Sequence, residues 1–456
     1  MTAMTKNKPI KLLMVSLGCD KNLVDSERML GILAAHGFQI TDDEEEAEAA
    51  VINTCCFIDD AKKESIERIL ELAELKKTAS LKVLVAAGCM AQRYKDEILE
   101  QLPEIDAIVG TTGIDGIANI VLSALRGREH DAYLRDISLD PEIDTAQRIV
   151  TTGGHYAYLK IAEGCDKNCT YCAIPKFRGH YRSFPKETLL KEAAMLAGRG
   201  VRELILVAQE TTLYGMDLYG KKCLHELLRD LCAIDGLYWI RLLYCYPEEI
   251  YPELIDTIAS EPKLLHYLDL PIQSASDNIL KRMHRRTTKE ELAKLVNRLR
   301  ERIPDIMLRT TLIVGFPGET DEDHAETMAF VEAMRFDRLG VFTYSKEEGT
   351  PAAKMKPQIT KKVMKKRQAE IMITQQQISR EKNRARVGAV LEAFVEGRIP
   401  EENVYVGRTY GDAPSVDGYI FFESSRELLS GDFVKVRVTS ASEYDLKGEE
   451  IYDAVY

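Results

Sequence analysis

No run of eighteen apolar residues occurs in this chain of 456 residues, so no helical membrane span is expected. The N-terminus lacks the basic, apolar and small-residue order of a secretory signal, so export is not expected either. Beyond two βα modules there is no internal repeat, and there is no low-complexity tract. Positive charge is not in excess: the net charge is −12, which argues against a chain coated generally by nucleic acid but leaves local patches open. Ten cysteines without a secretory signal point to a reducing, cytoplasmic setting and to metal binding rather than disulfides. Hydrophobic and charged contents of 45% and 29% are ordinary for a globular protein. At ~150 residues per domain the length predicts about three domains.

What the chain has is a loop with Cys165, Cys169 and Cys172 at C-x3-C-x2-C spacing. Three thiolates hold three irons of a [4Fe–4S] cluster and leave the fourth open to a small molecule. Zinc is the alternative. It takes four ligands, usually in close pairs, and no fourth Cys or His adjoins this loop. Loops of this form mark radical S-adenosylmethionine enzymes.

The first ~125 residues alternate strand and helix, with apolar runs at 11–16, 50–54 and 82–87 separated by helical periodicity. Such alternation implies a parallel sheet covered on both faces. Residues 126–150 are charged and weakly patterned, and read as a linker. Strands are expected at 156–161, 203–207, 239–244, 267–270, 306–314 and 338–342, with helices between them, which suggests a partly closed (β/α)6 barrel. Residues 354–386 carry eleven Lys or Arg against two Glu, a local charge of +9, and suit a solvent-exposed helix. After Val387, short alternating strands punctuated by glycine read as a small antiparallel β-barrel. The expected class is therefore α/β: an N-terminal parallel-sheet domain over 8–125, a linker over 126–150, the barrel with its basic helix over 151–386, and the small β-barrel over 387–456.

Cys19, Cys55 and Cys89 are far apart in sequence, but each lies just past the carboxyl end of an expected parallel strand. Loops at that end of an open α/β sheet converge on one crevice, so the three thiols form a candidate second [4Fe–4S] site. Buried cysteine is common in cores, and Cys223, Cys232 and Cys245 read as packing residues. Cys56 adjoins Cys55, points the opposite way on an extended segment, and is a spare.

Active sites of βα barrels lie at the carboxyl-terminal mouth. The cysteine loop follows the first barrel strand and is at that mouth. Tyr171 is placed to shield the cluster and lie near a bound cofactor's adenine. Gly315 and Glu319, in the glycine-rich loop after the fifth strand, are candidate adenosine contacts. Gln209, Glu210, Arg241, Gln273 and Arg309 lie on or after barrel strands. They are candidates for the cofactor's ribose, amine and carboxylate, or simply polar strand ends.

The chain resembles the methylthiotransferase family of radical S-adenosylmethionine enzymes along essentially its full length. The resemblance is carried by residues 17–27 (LGCDKNLVDSE), 53–55, 88–89, 163–179, 311–319 and 344–351, and by Gly407, Arg408 and residues 412–418. Within the family the continuation KNLVDSE after Asp20 is similar to the branch that modifies a ribosomal protein, whereas the transfer-RNA branch usually has Gln-Met-Asn there. Departures are Asp20 where proline is usual, Cys56 where glycine is usual and Ser274 where histidine is frequent.

The resemblance implies two [4Fe–4S] clusters, S-adenosyl-L-methionine, an external electron donor and a C-terminal TRAM-type barrel. It implies that a 5′-deoxyadenosyl radical, made at Cys165, Cys169 and Cys172, removes hydrogen from the substrate. A methylated sulfur presented at Cys19, Cys55 and Cys89 is then transferred. The implied substrate is the β-carbon of an aspartate in the twelfth small-subunit ribosomal protein. The alternatives are isopentenyl-adenosine in transfer RNA and a non-enzymatic iron–sulfur carrier, which leaves the barrel mouth unexplained. Residues 388–456 hold fourteen Asp or Glu against six Lys or Arg. That charge favours a basic protein partner over a phosphate backbone, with Asp412 and Asp417 as the expected contacts. The basic stretch 354–386 is either a ribosomal RNA contact or the solvated face of a helix.

Overall fold

Strands buried on both faces read as unbroken apolar runs rather than alternations, and the first sheet is built from such runs. Its strands are β1 (Lys11–Ser16), β2 (Gln39–Thr41), β3 (Ala49–Thr54), β4 (Val83–Gly88), β5 (Ala107–Val109) and β6 (Asp131–Tyr133). Every residue of β3 and β4 is buried. The computed structural model describes residues 8–128, 131–139 and 147–451. The sheet order is β2-β1-β3-β4-β5-β6, parallel throughout. β2, β5 and β6 have three residues each, too few for a sequence pattern. β6 falls in the stretch expected to be a linker, so part of that stretch is the edge of the first sheet.

The second sheet continues with β7 (Tyr156–Lys160), β8 (Ala162–Glu163), β9 (Arg182–Ser183), β10 (Glu203–Val207), β11 (Trp239–Leu242), β12 (Leu264–Asp269), β13 (Met307–Val314) and β14 (Arg338–Thr343). Six of these form an open parallel sheet in the order β14-β13-β12-β11-β10-β7, and β8 pairs with β9 as a separate flap. Outward residues of β13, such as Leu308, Leu312 and Val314, join the core beneath the surrounding helices. Met307, on the opposite face, packs inside the barrel with Tyr158, Ile205 and Tyr267. The intervening helices carry their own start signals. The helix Lys289–Arg302 begins with a reciprocal Thr288–Glu291 capping box, worth about 1 kcal/mol.

The basic stretch forms the helix Lys361–Arg384. It is not solvated all round: Met364, Ile371, Gln375 and Ile378 are buried, and Gln375 donates to the Phe336 carbonyl at 2.9 Å. The chain then closes a small barrel of β15 (Val390–Arg398), β16 (Val404–Arg408), β17 (Ile420–Glu423), β18 (Phe433–Ala441) and β19 (Leu446–Glu450). Its pairs are antiparallel except β17 with β19.

Two joints set the geometry between these parts. The small barrel packs against the amino-terminal ends of the six-stranded sheet. Trp239 lies 5.0 Å from Phe433 between ring centres, and Glu203 pairs with Arg408 at 2.6 Å. The first sheet is tied to the barrel through Arg148, wholly buried, which donates to Glu27 at 2.9 Å and Glu192 at 2.8 Å. Buried pairs of this kind add little net stability but cost about 3–5 kcal/mol when one partner is removed, so they fix the orientation of the parts.

Candidate functional site

β7 runs into the flap β8–β9, and the flap sets the cysteine loop. Gly164 has φ +77, and a Cβ there would meet the His180 carbonyl oxygen at 2.0 Å; only glycine fits. The Cys165 amide donates to the Gly179 carbonyl at 3.1 Å and Cys172 to that of Cys169 at 3.0 Å. Backbone amides already point at sulfur: Lys167 N–H at Cys165 Sγ and Ile174 N–H at Cys172 Sγ, each 3.4 Å. The Tyr246 hydroxyl lies 3.5 Å from Cys169 Sγ. Burial pushes the Cys165 thiol up to about 12 and Cys172 up as well, so a bound cation is needed to hold them as thiolates. Among the described residues no three His, Cys, Asp or Glu side chains close on one metal-ion point.

The second set lies at the ends of neighbouring strands of the first sheet. β1, β3 and β4 are adjacent, and their ends are in register, Ser16 opposite Asn53 and Thr54 opposite Gly88. Cys19 caps the helix Asp20–Ala35, Cys55 follows β3, and Cys89 opens the helix Cys89–Tyr94. A Cβ on Gly18 would lie 2.7 Å from Cys55 Cβ, so the Cys19 loop abuts Cys55. Arg178 donates to Cys89 Sγ through Nε at 3.3 Å and Nη2 at 3.2 Å. All ten cysteines are free thiols. Cys56 is fully buried in the apolar core with Ile69 and Leu72.

Arg178 links the Cys89 thiol to Glu163, two residues before Cys165. Its Nη1 also donates to Asp25 at 2.8 Å and Glu163 at 2.9 Å, and Lys160 binds Glu163 from β7 at 2.7 Å and Asp25 as well. Burial raises the Glu163 carboxyl, but Arg178 and Lys160 outweigh it and hold the group below the usual carboxylate range. Asp25, Lys160 and Arg178 were not singled out in the sequence as site residues. A charge placed mid-helix or mid-strand has no local signal, although Asp25 and Arg178 fall inside the family-like runs.

The candidate cofactor residues divide. Glu210, wholly buried, accepts from the Thr212 amide at 2.8 Å through Oε1, and its Oε2 has no partner. Burial raises its carboxyl to about 7, against the opposing Thr212 bonds. Gln209 donates to Glu163 at 2.7 Å, and its Oε1 and that of Gln273 are buried and unpartnered. Three orphaned acceptors after β10 and β12 suit a ligand carrying an ammonium and hydroxyls, as S-adenosylmethionine does, since buried acceptors are costly unless paired. Tyr171 packs beside Ile279, Phe316 and Met364.

Other candidates have partners within the protein. Arg241 is spent on Glu203 at 2.7 Å and on the Tyr410 carbonyl at 2.8 Å; it anchors the small barrel and is not free for a cofactor. Arg309 binds Asp269 at 2.7 Å. Glu319 accepts from the Gly315 amide at 2.5 Å and from Arg367 at 2.7 Å. A Cβ on Gly315 would strike Met364 at 2.3 Å, so this glycine admits a side chain of the helix Lys361–Arg384. Asp412 and Asp417 do not face a partner. Asp412 is 2% exposed and binds Arg338 at 2.5 Å, and Asp417 accepts from the Tyr267 hydroxyl at 2.7 Å. Both lie where the small barrel meets the barrel sheet, away from the mouth. Charge counting missed this because an interdomain ion pair and a solvated acid look alike in sequence.

Three family descriptions match the chain: Uncharacterized protein family UPF0004 over 11–110, Radical SAM superfamily over 159–331 and TRAM domain over 387–451. A ribosomal protein uS12 methylthiotransferase RimO of Lachnoclostridium phytofermentans is 60% identical over 439 residues, covering 96% of this chain and 99% of that protein. The enzyme of the same name from Acetivibrio thermocellus is 50% identical, covering 97% and 99%. Among solved structures, the radical S-adenosylmethionine methyltransferase TsrM from Kitasatospora setae, with cobalamin and a [4Fe–4S] cluster bound, superposes with a TM-score of 0.54 at 14% identity over 76% of this chain and 74% of that one. That likeness is one of fold.

Proposed function

The chain belongs to the RimO methylthiotransferase family, and from that premise we propose that it adds a methylthio group to the β-carbon of an aspartate in ribosomal protein uS12. One observation carries the mechanism: two three-cysteine sets lie at the carboxyl ends of two parallel sheets, and the buried Arg178 bridges Cys89 of one to Glu163 at the start of the other's loop. Cys165, Cys169 and Cys172 would hold a [4Fe–4S] cluster at the barrel mouth, and Cys19, Cys55 and Cys89 would hold a second. When bound, the first cluster with S-adenosylmethionine and an external electron donor supplies a hydrogen-abstracting radical, and the second supplies the methylthio sulfur.

The protein's own part is positioning. Glu210, Gln209 and Gln273 offer acceptors for the cofactor's ammonium and hydroxyls. Glu163, held anionic by Lys160 and Arg178, fixes the flap that begins the cysteine loop. The Arg178 network holds the substrate crevice at one width and keeps water from it, which is what a radical transfer between two fixed centres requires. No described helix is long and apolar enough to cross a membrane. The exposed Lys361, Lys362 and Lys365 on the outer face of the helix Lys361–Arg384 suit a ribosomal RNA contact when uS12 is already assembled.

The test is to supply reconstituted enzyme with uS12 and, separately, with isopentenyl-adenosine transfer RNA, and to look for the methylthio mass. It is expected on uS12 alone; its appearance on RNA with none on uS12 overturns the assignment.

A further inference from the structure

Among the described residues ten Lys or Arg side chains are buried, and nine of them have a carboxylate partner. Lys21 is the tenth. It is 6% exposed, and its Nζ lies over the ring of Tyr244, 3.1 Å from the centroid. The nearest acid in sequence, Asp20, is taken by the Tyr244 hydroxyl at 3.0 Å. A buried ammonium without an anion is costly, and an aromatic face offsets only part of that cost.

The position of this cation is as informative as its solitude. Lys21 is two residues beyond Cys19. Tyr244 is two beyond β11, at the mouth of the barrel, with its backbone held at φ +60 and its amide bonded to Asp269 at 3.0 Å. The ammonium is thus placed where the second cysteine set meets the barrel mouth, the place at which a substrate carbon must stand to be reached from both sides.

We propose that Lys21 is the specificity-determining cation of the substrate site, binding the side-chain carboxylate of the aspartate to be modified. The inference rests on the reading of uS12 as substrate. A carboxylate is one bond from the β-carbon, so pinning it aims that carbon's hydrogen. In a dry site the ammonium favours a carboxylate over its neutral isostere, because an amide leaves the buried charge uncompensated. The Tyr244 ring keeps Nζ in place before substrate arrives, and the Asp20 carboxylate is bonded to the phenol oxygen rather than paired with Nζ.

The test measures equilibrium binding of fluorescently labelled uS12 to reconstituted enzyme with S-adenosylmethionine, under anaerobic conditions. Two forms of uS12 are compared, one with its target aspartate and one with asparagine there. The native enzyme is expected to prefer the acid by tenfold or more. Lys21→Met should bind both forms alike, and Lys21→Arg should keep the preference. Iron content and unfolding midpoint report whether each variant is folded, and Lys21→Gln replaces Lys21→Met if that one is not. A folded Lys21→Met or Lys21→Gln that retains the native ratio overturns the proposal, as does a native ratio of one in an enzyme that modifies uS12. A native enzyme that leaves no methylthio group on uS12 refutes the underlying assignment, and the proposal with it.

Discussion

Glu210→Gln should make the cofactor-free chain more stable and the cofactor bind less well. The Glu210 carboxyl is wholly buried after β10, and burial carries it from 4.5 to about 7. At ~1.4 kcal/mol per unit, keeping it ionised at pH 8 costs about 3 kcal/mol. The folded-state value is raised, so the penalty is absent below the ordinary carboxylate range. It grows as pH rises between 4.5 and 7, then levels off. The variant should therefore match the native chain to within about 1 kcal/mol at pH 5 and exceed it by about 3 kcal/mol at pH 8. Its carboxamide oxygen can still accept from Thr212. Losing a charge-assisted hydrogen bond to an ammonium costs about 1.5–3 kcal/mol, so S-adenosylmethionine should bind roughly 10- to 100-fold more weakly. Urea unfolding at the two pH values and calorimetric titration of the cofactor read both effects. A stability difference that is the same at pH 5 and pH 8, or an unchanged cofactor affinity, refutes the reasoning.

Cys55→Ala should lose the iron of the N-terminal set while Cys56→Ala keeps it, because Cys56 is packed in the apolar core; an iron assay showing the reverse would mean the register after β3 is wrong. Arg178→Met strands Asp25 and Glu163 on Lys160 alone and should destabilise by about 3 kcal/mol, the low end for a broken buried pair, read as a lowered anaerobic melting temperature. Acid should loosen the small barrel: Arg408 and Arg241 outweigh burial and hold the Glu203 carboxyl below its ordinary value. Stability present above the ordinary carboxylate pKa of about 4.3 is then lost as pH falls through the folded-state value, seen as faster proteolysis before β15, and Glu203→Gln should show the same cleavage at neutral pH.

The two candidate cysteine sets were legible in the sequence because their signals are local. C-x3-C-x2-C needs only a loop, and the three cysteines at strand ends needed only the rule that parallel strands share a carboxyl edge. The long strands β3, β4, β10 and β13 were legible too, since a strand covered on both faces is an unbroken apolar run. The three-residue strands were not, and β6 passed for linker because an edge strand of three residues carries no period. What only the tertiary structure decided is where charge is spent. Arg241, Asp412, Asp417 and Glu319 are polar residues in plausible places, and each is consumed by a partner from another part of the chain. Lys21 shows the converse: it lies in the family-like run after Cys19, and folding buries it over Tyr244 with no carboxylate paired to its Nζ. Burial and pairing are made by residues hundreds of positions apart, so no window of sequence distinguishes a spent charge from a free one.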